Sequence, residues 1–483
     1  MSATTTDCAA GRVTINILPD DILLLLFRSD RVTYIDRRAA VDRARCLPWR
    51  WDRLVHVCQR WRSIVFASPK FLDLALVCGP GTPLELIDIW PPLPIIIRDT
   101  VGRPMPEDYN FQAAIAQYDR VSHIDIRRIT SSQLQRLTLA MQEQFPALIH
   151  LRLDAAIFDY PPQVLPDGFL GGSASRLQSL ELDYVIFPAL PELLLSTNDL
   201  VCLSLWNVPY SGYVTLDAIV TSLAVLANLK FLTIGFDILQ SRPEQEGRHP
   251  PPPTRTVLPA LTRFKFQGAS EYLNDFVGRI DAPLLDSFFI TFLDQFIFDI
   301  SQLAQFMRRT TRIQTLNEAH VDFDYCDVQV EFRPPTLPLD EKSGLTITCR
   351  AINWQLSNLV QVFTSLFRSI YIVEHLYLYG PRSFVSESHW QDPMQWLEIF
   401  RPFTAVKNFY VIMEFAQHIA PALQEIAGER STDVFPALES LYVGELWPPG
   451  YVQEAIEQFV AARQLLGRPV AVSHWQNEAF LLY

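Results

Sequence analysis

Residue types that carry chemistry are present in this 483-residue chain, but their spacing matches no catalytic motif. The nine His are scattered: His389 and His474 each precede a Trp, and His418 lies in an apolar stretch. The sequence contains no Gly-x-Ser-x-Gly nucleophile turn, no His-Glu-x-x-His metal motif and no Gly-rich phosphate loop followed by Lys. We therefore expect a protein that is not an enzyme and that needs no cofactor or metal ion.

The seven Cys include no Cys-x-x-Cys pair, so they predict neither a zinc site nor a disulfide framework. We interpret Cys58 as a small apolar side chain rather than a nucleophile, because nothing in the nearby sequence pairs it with a base. The first eleven residues are polar and small, and no apolar run approaches the roughly 20 residues that cross a bilayer. These features favour a reducing compartment, cytoplasmic or nuclear, and no membrane association.

Charge is distributed unevenly along the chain. The formal net charge of -13 argues against a general nucleic-acid binder, because neutralising phosphates requires clustered Lys and Arg. Residues 1–65, however, hold eleven Arg and no Lys against seven Asp and no Glu, a formal +4 that leaves -17 for the rest. A basic segment on an acidic body predicts an acidic partner for that segment, unless its Arg side chains only solvate a loop.

Two segments near the start of the chain predict helices. Pro19 suits the first position of a helix, and Asp20 and Asp21 place negative charge in its first turn. The residues from Ile22 to Phe27 are apolar on every side, so we expect the protein's own core on one side and a partner on the other. A second apolar stripe predicts another helix, which ends before Pro69: Leu54, Val57, Cys58, Trp61, Ile64 and Val65.

These two segments together resemble a known module. Leu-Pro-x-Asp-Ile-Leu from Leu18, paired with Val-Cys-x-x-Trp-Arg from Val57, resembles the F-box, and residues 71–97 resemble the F-box proteins of mushroom-forming fungi. The resemblance implies that the module binds a Skp1-type adaptor and, through it, a cullin. An Arg-rich connection, residues 28–53, is longer than the F-box usually has. The implied adaptor contacts are Leu18, Pro19, Ile22, Leu23, Val57, Cys58 and Trp61.

The pattern Leu-x-x-Leu-x-Leu, with other apolar residues allowed, recurs along the rest of the chain, mostly at spacings of roughly 23 to 33 residues. It begins at Val121, Leu148, Leu177, Leu200, Leu229, Leu261, Leu285, Val373, Val406 and Leu438. This spacing is typical of leucine-rich repeats, in which a short strand and an outer helix stack on the next copy. We expect an α/β fold that is an irregular leucine-rich-repeat-like solenoid. The alternative is that these are buried strands of ordinary α/β domains.

These patterns divide the chain into a disordered leader, residues 1–13, an all-α F-box-like module, residues 14–68, and a solenoid, residues 69–483. Residues 71–77 alternate as a strand would, and exposed loops are expected near 241–256 and 333–343. An apolar stripe from Val452 to Val460 predicts a helix that caps the open end of the solenoid.

In a repeat strand, the residue between the last two apolar positions points to the concave face, as does the residue after them. These positions are charged in the early copies and aromatic in the late copies. Tyr, Trp and Arg dominate protein interfaces, so our candidates for target binding are Tyr377, Tyr410, Tyr442, Trp206 and Arg152. The alternative is that loops cover the tyrosine rings.

We therefore expect the substrate-recognition subunit of a Skp1-cullin-F-box type ubiquitin ligase, which binds an adaptor through its N-terminal helices and an unknown target protein through its repeats. The alternative is a leucine-rich-repeat scaffold whose N-terminal helices only cap the solenoid. A cap would bury Leu18, Pro19 and Trp61, whereas a docking module would leave them partly open. An enzyme would need converging carboxylates, for which only Asp154 and Asp183 are candidates.

Overall fold

The computed structural model describes most of the chain. The described residues are 15–39, 51–79, 92–98, 109–156, 162–209, 212, 214–237, 254–293, 301–310, 312–313, 316–323, 327–334, 344–350, 373–380, 393–427, 434–444 and 450–475. The predicted leader, residues 1–13, lies outside them, as do most of the two predicted loops. The chain forms two compact units: Met1–Ile126 with Glu143–Leu148, and Arg127–Gln142 with Ile149–Tyr483.

The first unit begins with helices. After a 3-10 turn, Ile15–Ile17, come α1 (Asp20–Ala39), α2 (Asp52–Val55), α3 (Gln59–Ala67) and α4 (Pro69–Leu72), with α5 (Tyr109–Ala116) further on. The carbonyl of Pro19 accepts a hydrogen bond from the Leu23 N–H at 3.0 Å, so α1 starts where the Pro-Asp-Asp sequence predicts. The Cys58 sulfur accepts a hydrogen bond from the Trp61 N–H, and Cys58 therefore caps α3.

The predicted strand at residues 71–77 is only partly correct. Pro69 opens the short helix α4 instead, because its fixed φ suits the first helical turn. Asp73 then adopts a left-handed conformation with φ of 49°, and the strand β1 starts only at Leu76 (Leu76–Cys78). β1 pairs in parallel with β2 (Ile95–Arg98), and β2 pairs in parallel with β3 (Val121–Ile129).

The second unit is built on a large, mostly parallel sheet with helices in the connections. Its main strands are β4 (His150–Ala155), β6 (Ser179–Asp183), β8 (Cys202–Val208), β9 (Phe231–Phe236), β11 (Arg263–Gly268), β13 (Ser287–Leu293), β14 (Glu318–Phe323), β15 (Asp327–Arg333), β16 (Gly344–Arg350), β17 (His375–Tyr379), β18 (Asn408–Val411), β19 (Ser440–Val443) and β20 (Ala471–His474). Four shorter strands pair separately, β5 (Gln163–Val164) with β7 (Val185–Ile186) and β10 (Thr256–Val257) with β12 (Ile280–Asp281).

The helices of the second unit lie between these strands in sequence. They are α6 (Ser131–Ala140), α7 (Leu190–Leu195), α8 (Leu216–Leu223), α9 (Ser270–Val277), α10 (Ser301–Arg309), α11 (Pro393–Phe400), α12 (Met413–Ala427) and α13 (Tyr451–Leu465). A short 3-10 segment, Phe169–Gly172, precedes β6. The prediction of an α/β fold with parallel strands and intervening helices is therefore confirmed.

Each of the ten predicted repeat copies lies on a strand, and their two closing apolar positions are buried. One face of the sheet packs on the helices through these side chains. Phe264 on β11 contacts Phe276 on α9, with ring centroids 5.6 Å apart, and Phe288 on β13 contacts Phe306 on α10 at 5.9 Å. This alternation leaves the intervening residues of each strand on the opposite face, which we call the second face.

The parallel order is interrupted at one place. β16 pairs in parallel with β13, and β14 pairs in parallel with β17, but β15 runs antiparallel between β16 and β14. The sequence predicts a strand at residues 345–349, which is confirmed as β16, and only a weak repeat near Ile313. The reversed strand β15 is not predicted, and Arg333, expected to open a loop, is its last residue.

Polar side chains connect successive helices of the second unit. Asn274 on α9 accepts hydrogen bonds through its Oδ1 from the N–H groups of Gln302 and Leu303 at the start of α10, at 2.9 and 3.1 Å. Arg309 on α10 donates to Asp281 at 2.6 Å.

The predicted terminal helix is confirmed as α13, but β20 follows it, so α13 is not the last element. No helix in the described residues combines the length and apolar character needed to cross a bilayer.

Candidate interaction surfaces

Strand register aligns one residue of each main strand into a continuous row on the second face, which we call the cross-strand row. Each neighbour in the row is a direct pairing partner of the next. In the order of the strands across the sheet, its members are Arg152, Glu181, Ser204, Thr233, Lys265, Phe289, Thr346, Glu331, His320, Tyr377, Tyr410, Tyr442 and Ser473.

Four consecutive members of the row are stacked rings, which we call the aromatic ladder: His320, Tyr377, Tyr410 and Tyr442. Their centroids are 4.3, 4.2 and 4.4 Å apart in that order, with planes within 10° of each other. Neighbouring strands are about 4.8 Å apart, so rings in register stack face to face along the row. All four side chains are partly exposed. The three predicted tyrosines are thus brought together.

Trp475, directly after β20, packs against the ladder. Its ring centroid lies 5.9 Å from Tyr377 and 5.4 Å from Tyr410, and 5.9 Å from the neighbouring Tyr379. The Trp475 N–H donates to the Val443 carbonyl at 2.9 Å, which continues the pairing of β20 with β19. Chain segments therefore cover part of the ladder, while its tyrosine side chains remain partly exposed.

The reversed strand β15 supplies charged groups beside the ladder. Arg333 donates to Glu331 at 2.6 Å, and a His320 ring nitrogen lies 3.1 Å from the Tyr379 hydroxyl. Burial raises the pKa of Tyr377 above its ordinary value, and the nearby Tyr410 and Glu318 raise it further. Burial likewise raises the pKa of Tyr410. These phenols therefore keep their protons at neutral pH and present neutral hydroxyl groups.

Trp206 on β8 belongs to a different part of the second face. Its ring lies close against Gly235 of the next strand, where an added Cβ would be only 2.5 Å from a ring carbon. Lys265 on β11 places its ammonium 4.0 Å from the ring centroid, a cation–π contact. Glycine at position 235 therefore makes room for the indole to lie across β9.

Arg152 is also on the second face, where it pairs with a carboxylate. Its guanidinium lies 3.2 Å from Glu181 on the neighbouring strand. Asp154 and Asp183 are register partners on the same two strands, and Asn207 donates to Asp183 at 2.9 Å. Burial raises the pKa of Asp183 from 3.8 to about 6, opposed by the Asn207 hydrogen bond and supported by the charge of Asp154. Within the described residues, no group of His, Cys, Asp and Glu is arranged to hold a metal ion.

The five predicted target-binding residues thus form three groups on one face rather than one site. The tyrosines form one group, Trp206 with Lys265 a second, and Arg152 with its carboxylate neighbours a third. The sequence patterns did not indicate His320 as a ladder residue, Trp475 as the ring that packs against the ladder, or Glu331 and Arg333 beside it. The alternation of apolar and polar residues from Asp327 to Arg333 is the sequence signal that indicates the strand carrying these last two.

In the first unit, α1 to α4 share one apolar core with the chain leading into β1 and β2. Trp61 packs on Phe27 with ring centroids 4.8 Å apart, and the Trp51 indole N–H donates to the Ala75 carbonyl at 2.8 Å. The buried members of this core are Leu23, Phe27, Trp51, Val55, Trp61, Ile64, Val65, Leu72, Leu74 and Leu93. The helices therefore bury one side against the segments that carry the first strands.

The other side of α1 is exposed and apolar. Ile22, Leu25 and Leu26 are 38, 55 and 45% exposed, and Val57 before α3 is 58% exposed. We call these four residues, with the exposed Pro19, the N-terminal apolar patch.

An ion pair holds the two helices that carry this patch. Arg60 on α3 donates to Asp20 at the start of α1 and to the carbonyl of Leu18, which precedes α1, both at 2.6 Å. This contact joins the start of α3, which follows Val57, to the start of α1.

The predicted adaptor contacts divide between these two sides. Pro19, Ile22 and Val57 are exposed, Leu18 and Cys58 are partly buried, and Leu23 and Trp61 belong to the core. Trp61 is thus buried by its own helices, and Pro19 is open. The exposure of these residues agrees in part with a cap and in part with a docking module.

Comparisons with known proteins add little to this geometry. No protein-family model matches the sequence, and no curated protein matches it. Among solved structures, the chain is similar to the leucine-rich repeat-containing protein LegL7 from Legionella pneumophila. The two are 11% identical over 80% of this chain and 97% of that chain, with a TM-score of 0.28, so the likeness is weak.

Proposed function

We propose that this protein is a non-catalytic, target-binding subunit of a Skp1-cullin-F-box type ubiquitin ligase. The N-terminal helices would bind a Skp1-type adaptor, and the second face of the sheet would bind a target protein. Ubiquitin transfer would be catalysed by other subunits, with this chain supplying proximity. The compartment would be cytoplasmic or nuclear, and neither nucleic acid nor membrane would be a partner.

The observation that carries this proposal is the N-terminal apolar patch. Exposed side chains at positions 22, 25 and 26 of one helix form a surface that the protein's own core does not use. Large exposed apolar patches usually mark interaction sites. The patch includes Pro19, Ile22 and Val57, which the F-box resemblance independently assigns to the adaptor. The formal +4 charge of residues 1–65 suits an acidic partner.

An interaction scaffold without a ligase role is the second candidate, favoured by the shared core of the first unit. Leu74 and Leu93, which flank β1 and β2, pack in the same cluster as α1 and α3. A helical cap would pack in this way on the first strands. Both candidates would use the second face of the sheet to bind protein. They differ in whether the N-terminal apolar patch binds an adaptor.

Adaptor capture distinguishes the two candidates. We expect tagged full-length protein, co-expressed with a Skp1-type adaptor, to retain the adaptor, and Ile22→Glu with Leu26→Glu to reduce the retained adaptor by tenfold or more. Burying each of these side chains contributes roughly 1.5 to 3 kcal/mol at an interface, and a charge there opposes association. Circular dichroism and the thermal unfolding midpoint check that the variant stays folded.

Leu139→Glu is the matched control, because Leu139 is 66% exposed on α6, which belongs to the second unit. It should leave adaptor capture unchanged. Trp61→Ala is a poor test, since Trp61 is buried and its removal would cost roughly 3 to 5 kcal/mol of folding stability. Failure of the folded native protein to retain the adaptor would exclude the ligase role and leave the scaffold.

A further inference from the structure

The aromatic ladder ends at Tyr442 with one ring face unstacked by any described residue. Tyr442 stacks on Tyr410, and its partner on the opposite side is Ser473 of β20. Ser473 is small and exposed. The face of Tyr442 directed away from Tyr410 therefore borders a space above Ser473, where the next ring of the ladder would lie. This space corresponds to one strand position in the row.

Among the described residues, β20 is the last strand of the sheet, and it pairs with β19 on one side. The N–H groups of Ala471 and Trp475 donate to the carbonyls of Glu439 and Val443. Because strand hydrogen bonds alternate in direction, the N–H groups of Val472 and His474 point to the outer side. In the part of the chain that the structure describes, no strand pairs with that side. Such an edge accepts an additional extended segment from a partner.

The ring chemistry of the ladder and the net negative charge of the chain favour a cation in this space. Lys407, which directly precedes the strand β18 that carries Tyr410, is paired with Glu374 at 2.8 Å. The whole chain carries a net charge of -13. The faces of stacked phenol rings are electron-rich and attract cations. Arginine combines positive charge with a planar group that stacks on an aromatic face.

We propose that the outer edge of β20 binds an extended segment of a partner protein, which places an arginine guanidinium over Ser473 and against the free face of Tyr442. The added strand would lie two strand spacings, about 10 Å, from β19, so a long side chain is needed to reach Tyr442. This inference rests on the proposed target-binding role of the second face and names the chemistry of the target. Backbone hydrogen bonds to the outer edge of β20 would bind the partner segment, and recognition of its arginine would provide the specificity.

The proposal can be tested by phage display. Full-length protein is used to select binders from a random library of seven-residue peptides. We expect retained peptides to carry arginine at one fixed position between residues that favour strands. A synthetic fluorescent peptide of the selected sequence should bind about tenfold more tightly, by fluorescence anisotropy, than the same peptide with glutamine in place of arginine. Enrichment of aromatic residues without arginine, or no enrichment, would overturn the proposal.

Ser473→Phe is the informative variant, because the new ring would fill the space while Tyr442 and the edge of β20 are kept. It should weaken the selected peptide about tenfold, and Tyr442→Ala should do the same. Val164→Phe adds the same side chain at a position that is 57% exposed on β5 and serves as the control. Equal binding by native protein and Ser473→Phe, with the variant folded, would contradict the proposal.

Adaptor capture and peptide selection fail independently, because they use different surfaces. Arginine-selective binding without adaptor capture would retain this inference and remove the ligase role. Adaptor capture without arginine selection would retain the ligase role and overturn the inference.

Discussion

Asp183 on β6 lies in surroundings that disfavour its charge. Burial raises its pKa to about 6, and the register partner Asp154 adds a like charge. The folded state therefore binds the Asp183 proton more tightly than the unfolded state does. The stability that this proton contributes is fully present below about pH 4 and is lost as the pH rises through about 6.

We predict that Asp183→Asn stabilises the protein at neutral pH. The variant keeps an oxygen that accepts the Asn207 hydrogen bond and removes the buried charge. A shift of about two pKa units corresponds to at most about 3 kcal/mol, and partial exposure of the side chain reduces this to about 1 to 2 kcal/mol. Urea unfolding midpoints at about pH 8 and pH 4 measure the difference, which should disappear at the lower pH.

Asp199→Asn, at an exposed position, is the control and should leave the midpoint unchanged at both pH values. A stabilisation by Asp183→Asn that is equally large at both pH values would show that packing, rather than charge, is responsible.

At the scale of elements, helix-to-helix contacts order the outer layer of the second unit. Asn274 is 6% exposed, and its side-chain oxygen satisfies two N–H groups at the start of α10 that have no partner within that helix. The side chain of Asn274 on α9 therefore caps the first turn of α10, a role that usually falls to a residue at the start of the capped helix.

We predict that Asn274→Ala destabilises α10 by about 1 to 3 kcal/mol, because two buried N–H groups lose their acceptor. Hydrogen exchange should become faster at Gln302 and Leu303 before it changes in β4 or β6. Asn228→Ala is the control, since Asn228 makes a single exposed hydrogen bond of 3.4 Å to the Asn198 carbonyl. Unchanged exchange in α10 would mean that its packing alone fixes its first turn.

The strands were predictable to the extent that their pairing is local. Except between the copies at Leu285 and Val373, the repeat copies pair with the next copy, so spacing predicts the parallel strands and places Tyr377, Tyr410 and Tyr442 in one line. The position of His320 depends on β15 reversing direction between two distant strands, which periodicity does not encode. The position of Trp475 depends on β20 adding to the sheet after α13. Alternation also misplaced the start of β1, because Pro69 favours a helical turn over a strand.

At the scale of the whole molecule, charge separates along the sequence. The formal charge is +4 for residues 1–65 and -17 for the remainder. Under the proposed function, the adaptor would meet the basic segment and the arginine-bearing target would meet the acidic sheet. Both associations would then be assisted by long-range attraction.

We predict that adaptor capture weakens as salt rises, because screening shortens the range of attraction from about 30 Å at 0.01 M to about 3 Å at 1 M ionic strength. Association rates measured by surface plasmon resonance across this range should fall, while dissociation rates change less. Because Arg60 is held by Asp20, replacing Arg53, an exposed residue of α2, with Gln is the suitable variant for a reduced salt dependence. An association rate independent of salt would show that apolar contact alone brings the adaptor to the helices.

The reversed strand β15 also affects the order in which the strands of the sheet pair during folding. Ser287 pairs with Gly344, and Glu318 with His375, so each of these closures joins residues 57 positions apart. Most other neighbours in the row are 23 to 33 positions apart. Doubling the length of a closing loop costs about 0.6 kcal/mol of chain entropy, roughly a threefold slower encounter. The strands up to β13, the antiparallel segment β14 to β16 and the strands from β17 onward would therefore form first as separate nuclei, and the aromatic ladder would gain His320 only when β14 joins β17.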